Sequence, residues 1–328
     1  MRECEPQVDM IQRMRRISED RPVAVVSPTV GERRTGESRP APSRAPGTRQ
    51  GTSWSASNSI ADLPIWVPGL IGSGVCRHRS VRIDGATHMS PIEFASETRR
   101  AYASILEGVD SDRLWRAWNF IPRINDDASD SSVPRDRYMA FNSGRHHGFA
   151  DSYREDARYP VASGVGHAGD DLVIHLLHGD ERPTLVDNPR QVPPDEYSSR
   201  FGHPPPVFAR ACRIELERAE ALLVSGTASV VGEASLHGDD FAAQLDETLR
   251  NLEVVVAGAW PGRDLSVLGD WLVYLPDARF ATQVEEAIAP LLPEDGPVVE
   301  IRQQPLCRPE LLVEIECAGF IAGSGGGR

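Results

Sequence analysis

Cys307 and Glu314 lie seven residues apart, on either side of the turn Cys307-Arg308-Pro309-Glu310. A carboxyl group that burial keeps protonated can give up a proton at neutral pH. A thiol can join such chemistry to a degree that its neighbours set. Both residues also have plainer readings. Glu314 sits in Leu311-Leu312-Val313-Glu314-Ile315-Glu316. Strand alternation puts Leu312, Glu314 and Glu316 on one face and Leu311, Val313 and Ile315 on the other. Taken alone, that pattern makes the two glutamates a solvent face. An isolated Cys near a turn is ordinarily a small apolar filler.

The remaining polar clusters do not point to metal or cofactor chemistry. His146 and His147 are adjacent, so on a helix their rings point in different directions. Asp126-Asp127 and Asp239-Asp240 read as loop and helix-start charges, favourable near a helix N-terminus. The five cysteines (Cys4, Cys76, Cys212, Cys307 and Cys317) are odd in number and scattered, with no CxxC pair. That is neither a disulfide framework nor a structural zinc site. Gly164-Val165-Gly166 and the glycines from Gly323 to Gly327 lack the strand-to-helix context of a phosphate loop.

The elements that must position these residues follow from pattern. Val81-Arg82-Ile83 is a short strand. Ser90-Pro91-Ile92-Glu93 is a capping box with proline at the first helical position, predicting a helix to about Leu106 with Gly108 as its stop. Leu114 to Ile124 carries the aromatic and branched residues of a strand. Asp136 to Phe149 starts helical and is then broken by glycine. Asp171 to Leu177 is an apolar strand. After a proline-rich bridge, Pro189 to Pro206, the grammar returns. Ala221 to Val231 is a strand. Asp240 opens a helix with Phe241, Leu245, Leu249, Leu252 and Val256 at helical spacing, ending near Gly258. Trp271 to Leu275 is a strand, Ala281 to Leu292 a helix, and Val298 to Gln303 and Leu311 to Cys317 are closing strands. Both halves read strand, helix, strand, helix, strand, strand. That predicts a duplicated α+β unit with mixed sheets, each covered by helices on one face. The expected divisions are a poorly ordered leader over 1–58, with a short strand at Val23-Ala24-Val25-Val26, and domains over 59–200 and 201–328.

The net charge is −13, from 48 acidic against 35 basic residues. Such a balance argues against nucleic-acid and anionic-membrane partners, while a few buried arginines could still hold a small anion. No apolar run approaches the roughly 20 residues of a membrane helix. The N-terminus lacks the pattern of a secretory signal. The expectation is a cytoplasmic protein.

Four segments of the second half follow one another as in the RidA/YjgF family, which this half resembles. They are Ser225-Gly226-Thr227-Ala228, Ala243-Gln244-Leu245-Asp246-Glu247-Thr248-Leu249-Arg250-Asn251-Leu252, Val273-Tyr274-Leu275-Pro276-Asp277 and Leu312-Val313-Glu314-Ile315-Glu316. RidA-type deaminases carry a carboxylate-binding Arg just before the strand read here as Val298-Val299-Glu300-Ile301. This chain has Asp295-Gly296-Pro297 there, a departure that counts against imine deamination. The first half is similar to the chorismatase family, through Trp118-Asn119-Phe120-Ile121-Pro122-Arg123-Ile124-Asn125, Phe141-Asn142-Ser143-Gly144-Arg145-His146, Ala162-Ser163-Gly164-Val165-Gly166, Asn188-Pro189-Arg190-Gln191, Tyr197, Arg200 and Phe208-Ala209-Arg210-Ala211.

The resemblance implies two RidA-like (chorismate mutase-like) units fused in one chain. Their cleft would lie between the halves, so that a monomer suffices and no cofactor is needed. It implies conversion of chorismate to 3-hydroxybenzoate and pyruvate. Glu314 matches the catalytic glutamate. Cys307 matches the position that separates the 3-hydroxybenzoate-forming subtype from the hydrolysing one. Arg145, Arg200 and Tyr197 match ligands for the substrate's carboxylates and hydroxyl, because a planar guanidinium binds a carboxylate bidentately. Arg210 is a further ligand candidate, Gln191 and Arg302 could reach the pocket, and Ala228 would shape the ring pocket. Arg145 as a surface helix residue, and Arg200 paired with Asp195 or Glu196, are the plainer readings. The alternatives are hydrolysis to a dihydroxycyclohexadiene carboxylate, imine deamination, and ligand binding without catalysis.

Overall fold

The computed structural model describes residues 24–26, 63–64, 67–72, 74–128, 136–153, 157–217, 219–292 and 298–323. Strand β1 (Ala24–Val26) pairs in parallel with a later strand of the second half. The rest of the expected leader lies outside the described residues, as does Asp295-Gly296-Pro297.

The first half runs α1 (Val67–Gly72), β2 (Cys76–Ile83), α2 (Pro91–Leu106), β3 (Leu114–Pro122), α3 (Arg137–Ser152), β4 (Val161–His167) and β5 (Leu172–Gly179). Its sheet has the order β2-β5-β3-β4. A linking region with β6 (Thr184–Val186) leads to β7 (Ala211–Glu215), β8 (Ala219–Ala228) and the two-residue strands β9 (Val230–Val231) and β10 (Ala234–Ser235). Then come α4 (Phe241–Ala259), β11 (Leu268–Leu275), α5 (Ala281–Ile288), β12 (Val298–Gln303) and β13 (Glu314–Ala322). The second sheet has the order β1-β12-β11-β13-β8-β7-β6.

Within it, β8-β13-β11-β12 repeats the order of β2-β5-β3-β4. The sense of every pairing repeats too: antiparallel, antiparallel, then parallel. The duplicated α+β unit is therefore written in the topology. Helices α2 and α3 pack on one face of the first sheet, and α4 and α5 on one face of the second. The other two faces meet each other, with Trp118, Phe120 and Leu177 of the first sheet clustered with Leu223, Leu272 and Ala318 of the second. The central strand β3 is thus buried along its whole length, whereas the edge strand β2 keeps exposed positions.

Local chemistry fixes the helices. Ser90 Oγ accepts from Glu93 N–H at 3.3 Å and Pro91 opens α2; Gly108 adopts φ 68° just past its end. Phe94, Thr98, Ala101, Tyr102 and Ile105 form the buried stripe of α2, the spacing of a helix lying on a sheet. Asp240 caps α4 by accepting from Ala243 N–H at 3.0 Å.

Three expectations change. The stretch from Asp136 is a helix unbroken to Ser152, because Gly144 and Gly148 are there for a close approach. A Cβ at Gly144 would lie 2.3 Å from Ala95 O, and one at Gly148 2.5 Å from Tyr102 Cβ, both on α2. The helix from Ala281 stops at Ile288 and a 3-10 turn over Ala289–Leu291 takes Pro290, which has no N–H for a further α-helical bond. The last strand starts at Glu314, not Leu311. In addition, of the two closing strands expected in the first half, β4 was not placed on the sequence. Its Ser-Gly-Val-Gly composition hides a strand, and a Cβ at Gly166 would lie 2.8 Å from Ile124 and 2.9 Å from Pro305.

Candidate active site

A cavity of about 330 Å³ opens where the two halves meet. Glu314, at the first residue of β13, and Cys307, in the preceding turn, both line it. So do Tyr197, Arg200, Arg210 and Ala228. The expected residues are thus gathered into one place, with Arg145 and Arg302 as the exceptions.

The segment carrying Cys307 and Glu314 is tied down on both sides. Gly166 N–H of β4 donates to Pro305 O at 2.7 Å. Gln244 of α4 donates to Glu310 O at 2.9 Å and accepts from Leu312 N–H at 2.8 Å. Asn251, two turns further along α4, donates to Ala228 O at 3.1 Å and to Val230 O at 2.9 Å. The buried amides of α4 therefore hold both edges of the cavity: the strand end at Ala228 and the turn before Glu314.

Glu314 is 4% exposed and Glu316 1%. The alternation along β13 holds, but the glutamate face is not solvent. It faces the first sheet, while Val313, Ile315 and Cys317 face the helices. Burial, then the charge of Glu316, raises the Glu314 carboxyl from 4.5 to about 8, against smaller opposing effects of Arg116, Cys307 and Arg308. Glu314 is therefore a carboxylic acid at neutral pH. The Cys307 thiol donates to Glu314 Oε2 over 3.9 Å. Burial, and then Glu314, push that thiol far above its usual range, so it stays a neutral S–H. Gly226 makes the room: a Cβ there would lie 1.9 Å from Glu314 Oε1.

Glu316 is structural. It takes a hydrogen bond from Trp118 Nε1 at 2.7 Å, an ion pair with Arg116 at 2.5 Å, and a short hydrogen bond from Ser163 Oγ. All three partners belong to the first half. Removing one partner of such a buried pair costs about 3–5 kcal/mol, because the other charge is left uncompensated.

On the opposite wall, Arg210 donates to Tyr197 Oη at 2.6 Å and to Val192 O at 3.0 Å. Its buried Nε has no hydrogen-bond partner. Arg200 is exposed at the rim. Gln191 also lines the cavity and donates to Val230 O at 3.1 Å. Arg302 does not line it, and pairs with Glu300 at 2.6 Å on β12.

Arg145 is 3% exposed and so is not a surface residue. Its guanidinium lies 5.4 Å from the Tyr102 ring and 5.7 Å from the Phe149 ring, with Nε and Nη2 unpartnered. It stands off the cavity lining. Tyr138, which is on the lining, interacts electrostatically with Arg145 and also with Glu314 and Cys307.

Among the lining residues not picked out from the sequence, Arg308 and Tyr138 carry polar groups near the acid. Arg308 stacks over the Phe201 ring at 3.9 Å and donates to Glu233 O at 2.9 Å; its only signal was its place next to Cys307. Tyr138 gave none beyond its position in a helix. Among the described residues, no group of His, Cys, Asp or Glu side chains could hold a metal ion, and no helix is long and apolar enough to cross a membrane.

The family model described as Chorismatase FkbO/Hyg5-like, N-terminal, matches residues 73–178. The chain is 32% identical over 239 residues to the 3-hydroxybenzoate synthase of Streptomyces hygroscopicus, covering 68% of this chain and 69% of that one. It is 27% identical over 236 residues to a chorismatase of Streptomyces rapamycinicus, covering 68% and 70%. A chorismatase crystal structure superposes with a TM-score of 0.66 at 25% identity, covering 74% of each chain. Solved RidA and YjgF proteins align with part of the chain. By sequence and by fold, this chain is a member of the chorismatase family.

Proposed function

We propose that this chain is a chorismatase that converts chorismate to 3-hydroxybenzoate and pyruvate, with Glu314 as proton donor. The observation that carries the reading is a buried, protonated carboxyl on the wall of an arginine-rimmed cavity. Chorismate is a dianion with an enol ether. Glu314 protonates the methylene carbon of that ether, giving an oxocarbenium. The bond between the ether oxygen and the ring then breaks, pyruvate leaves, and the cationic ring gives up one proton as it aromatises, which returns the Glu314 carboxyl to its acid form. Arg200, Arg210 and Arg308 supply the cationic field for the two carboxylates, and Tyr197 the hydrogen bond to a hydroxyl. Arg145 acts from behind the wall, through Tyr138. Ala228 bounds the ring.

Chorismate equals 3-hydroxybenzoate plus pyruvate atom for atom, whereas the dihydrodiene acid requires one added water. Cys307 decides between these outcomes. Its neutral thiol fills the space beside Glu314 and steers the ring toward aromatisation rather than water addition. Domains over 59–200 and 201–328 suit this reading, since the cavity draws on both. A cytoplasmic monomer is in keeping with a cavity that one chain completes, and a net charge of −13 with the lack of a nucleic-acid partner.

The test is incubation of the purified chain with chorismate and chromatographic separation of the products. Pyruvate with 3-hydroxybenzoate is expected. No pyruvate release overturns the reading; pyruvate with a non-aromatic acid leaves Glu314 as the acid but overturns the aromatic product and the role of Cys307.

A further inference from the structure

Strands β8 and β13 slip register beside the acid. Ile315 pairs with Thr227, but Cys317 pairs with Val224. Two steps along β13 are matched by three along β8, so β8 carries the extra residue of a β-bulge at Ser225-Gly226. A bulge leaves backbone groups without their ladder partners and re-aims nearby side chains. Here the first half supplies the missing partners. Gly226 N–H donates to Ser163 Oγ at 2.9 Å, and Arg116 Nη1 donates to Val224 O at 2.5 Å. Ser163 Oγ also accepts from Arg116 Nη2 at 2.8 Å and donates to Glu316. A hydroxyl has one proton and two lone pairs, so Ser163 is fully used, at 3% exposure.

We propose that Ser163, backed by the Arg116–Glu316 pair, is a positioning residue through which the first half fixes the place of the Glu314 carboxyl and its proton. This rests on the reading of Glu314 as the acid. The positional link is direct. Gly226 Cα lies against the Glu314 carboxyl, since a Cβ built on it would fall 1.9 Å from Oε1 and 2.7 Å from the carboxyl carbon. Whatever holds the Gly226 backbone holds the carboxyl. Without Ser163 Oγ, the Gly226 N–H is left to find another partner, and the bulge relaxes.

The second link is electrostatic. Glu316 opposes ionisation of Glu314 and Arg116 favours it. Their pairing, closed by Ser163, keeps these effects in balance. The other groups facing Glu314 are Cys307 and Arg308 from the turn, Tyr138 from α3 and Tyr274 from β11.

The experiment uses the full chain and the variants Ser163→Ala, Ser163→Thr and Glu316→Gln. It measures kcat and KM for pyruvate release against pH. It also measures titration of the Glu314 carboxyl by difference infrared spectroscopy without substrate, assigned by subtracting Glu314→Gln. Ser163→Ala is expected to lower kcat about 10- to 100-fold, the cost of a misplaced acid, with KM little changed. Ser163→Thr, which keeps the hydroxyl, restores most of it. Glu316→Gln removes a negative neighbour and leaves Arg116 unpaired. Both changes favour ionised Glu314, so its carboxyl titrates at lower pH and the alkaline limb of kcat moves the same way.

Unchanged kcat in Ser163→Ala with an unmoved titration in Glu316→Gln overturns the proposal. So does a loss that the Thr variant does not rescue and that leaves the titration where it was. If Ser163→Ala fails to fold, the Glu316→Gln titration decides. If Glu314→Gln keeps its turnover, the reading of the acid fails instead, while the titration still reports whether Glu316 sets its proton.

Discussion

Strands β2 and β5 pair without a slip, from Cys76 opposite Gly179 to Ile83 opposite Leu172. Their counterparts in the second half, β8 and β13, slip once. The two pairs occupy the same place in sheets of the same order. On its other side β5 places Val173 opposite Phe120 of β3. In the matching place β13 puts Glu314 opposite Tyr274 of β11. One unit puts a hydrocarbon there and serves as a wall; the other puts a carboxylic acid there and makes room for it with Gly226. On the proposed reading of Glu314 as the acid, the chemistry is set by a local departure from a regular ladder, on a fold the two halves share.

The comparison is most directly broken at its two matched residues. Glu314→Gln is expected to lower kcat by about 10²- to 10⁴-fold, the usual share of a general acid, with chorismate binding kept in calorimetry. Val173→Thr should change kcat little; a comparable loss there would mean that the regular ladder also carries chemistry. Gly226→Ala comes next. Its new Cβ must displace the Glu314 carboxyl, and a loss of about 100-fold in kcat is expected, with the circular dichroism spectrum retained. A fully active Gly226→Ala would show that the bulge is incidental.

Cys307→Ala should leave pyruvate release within about tenfold of the parent, since the thiol is not the acid. Chromatography should show the aromatic product giving way to the dihydrodiene acid. An unchanged product ratio removes the thiol from the choice of product. The smallest effect is on stability. Below the ordinary value of 4.5, Glu314 is protonated both folded and unfolded. Between 4.5 and about 8 the unfolded chain loses that proton while the folded chain keeps it. Stability therefore falls as pH rises through that window. Denaturant midpoints of the parent relative to Glu314→Gln should decline over the same range; parallel curves would place the carboxyl in water.

The duplicated topology was legible because α2 and α4 carry caps and helical spacing, and because β3, β8 and β11 are apolar runs. The gathering of Cys307, Tyr197, Arg200, Arg210 and Ala228 around Glu314 was legible only through the ordered family segments. Periodicity alone misplaces Glu314 and Glu316. Alternation says which residues share a face, but not that a second sheet covers that face. The same gap hides Arg145, which is as polar as a surface residue yet packs between Tyr102 and Phe149. It also hides Gly144 and Gly148, whose purpose depends on α2 lying close by. Arg308 and Tyr138 reach the cavity only through tertiary placement.

The face-to-face contact of the two sheets has a further consequence. When like units assemble as separate identical chains, a substitution in one is copied into all, so acid and wall must be served by a single compromise sequence. Joining the units end to end lifts that symmetry. Val173 and Glu314 can then differ, and so can the plain ladder and the bulged one. Arg116 and Ser163 can serve a strand to which they do not belong. Each half is free to change on behalf of the other, and a mutation in either is best understood as a change in a shared site.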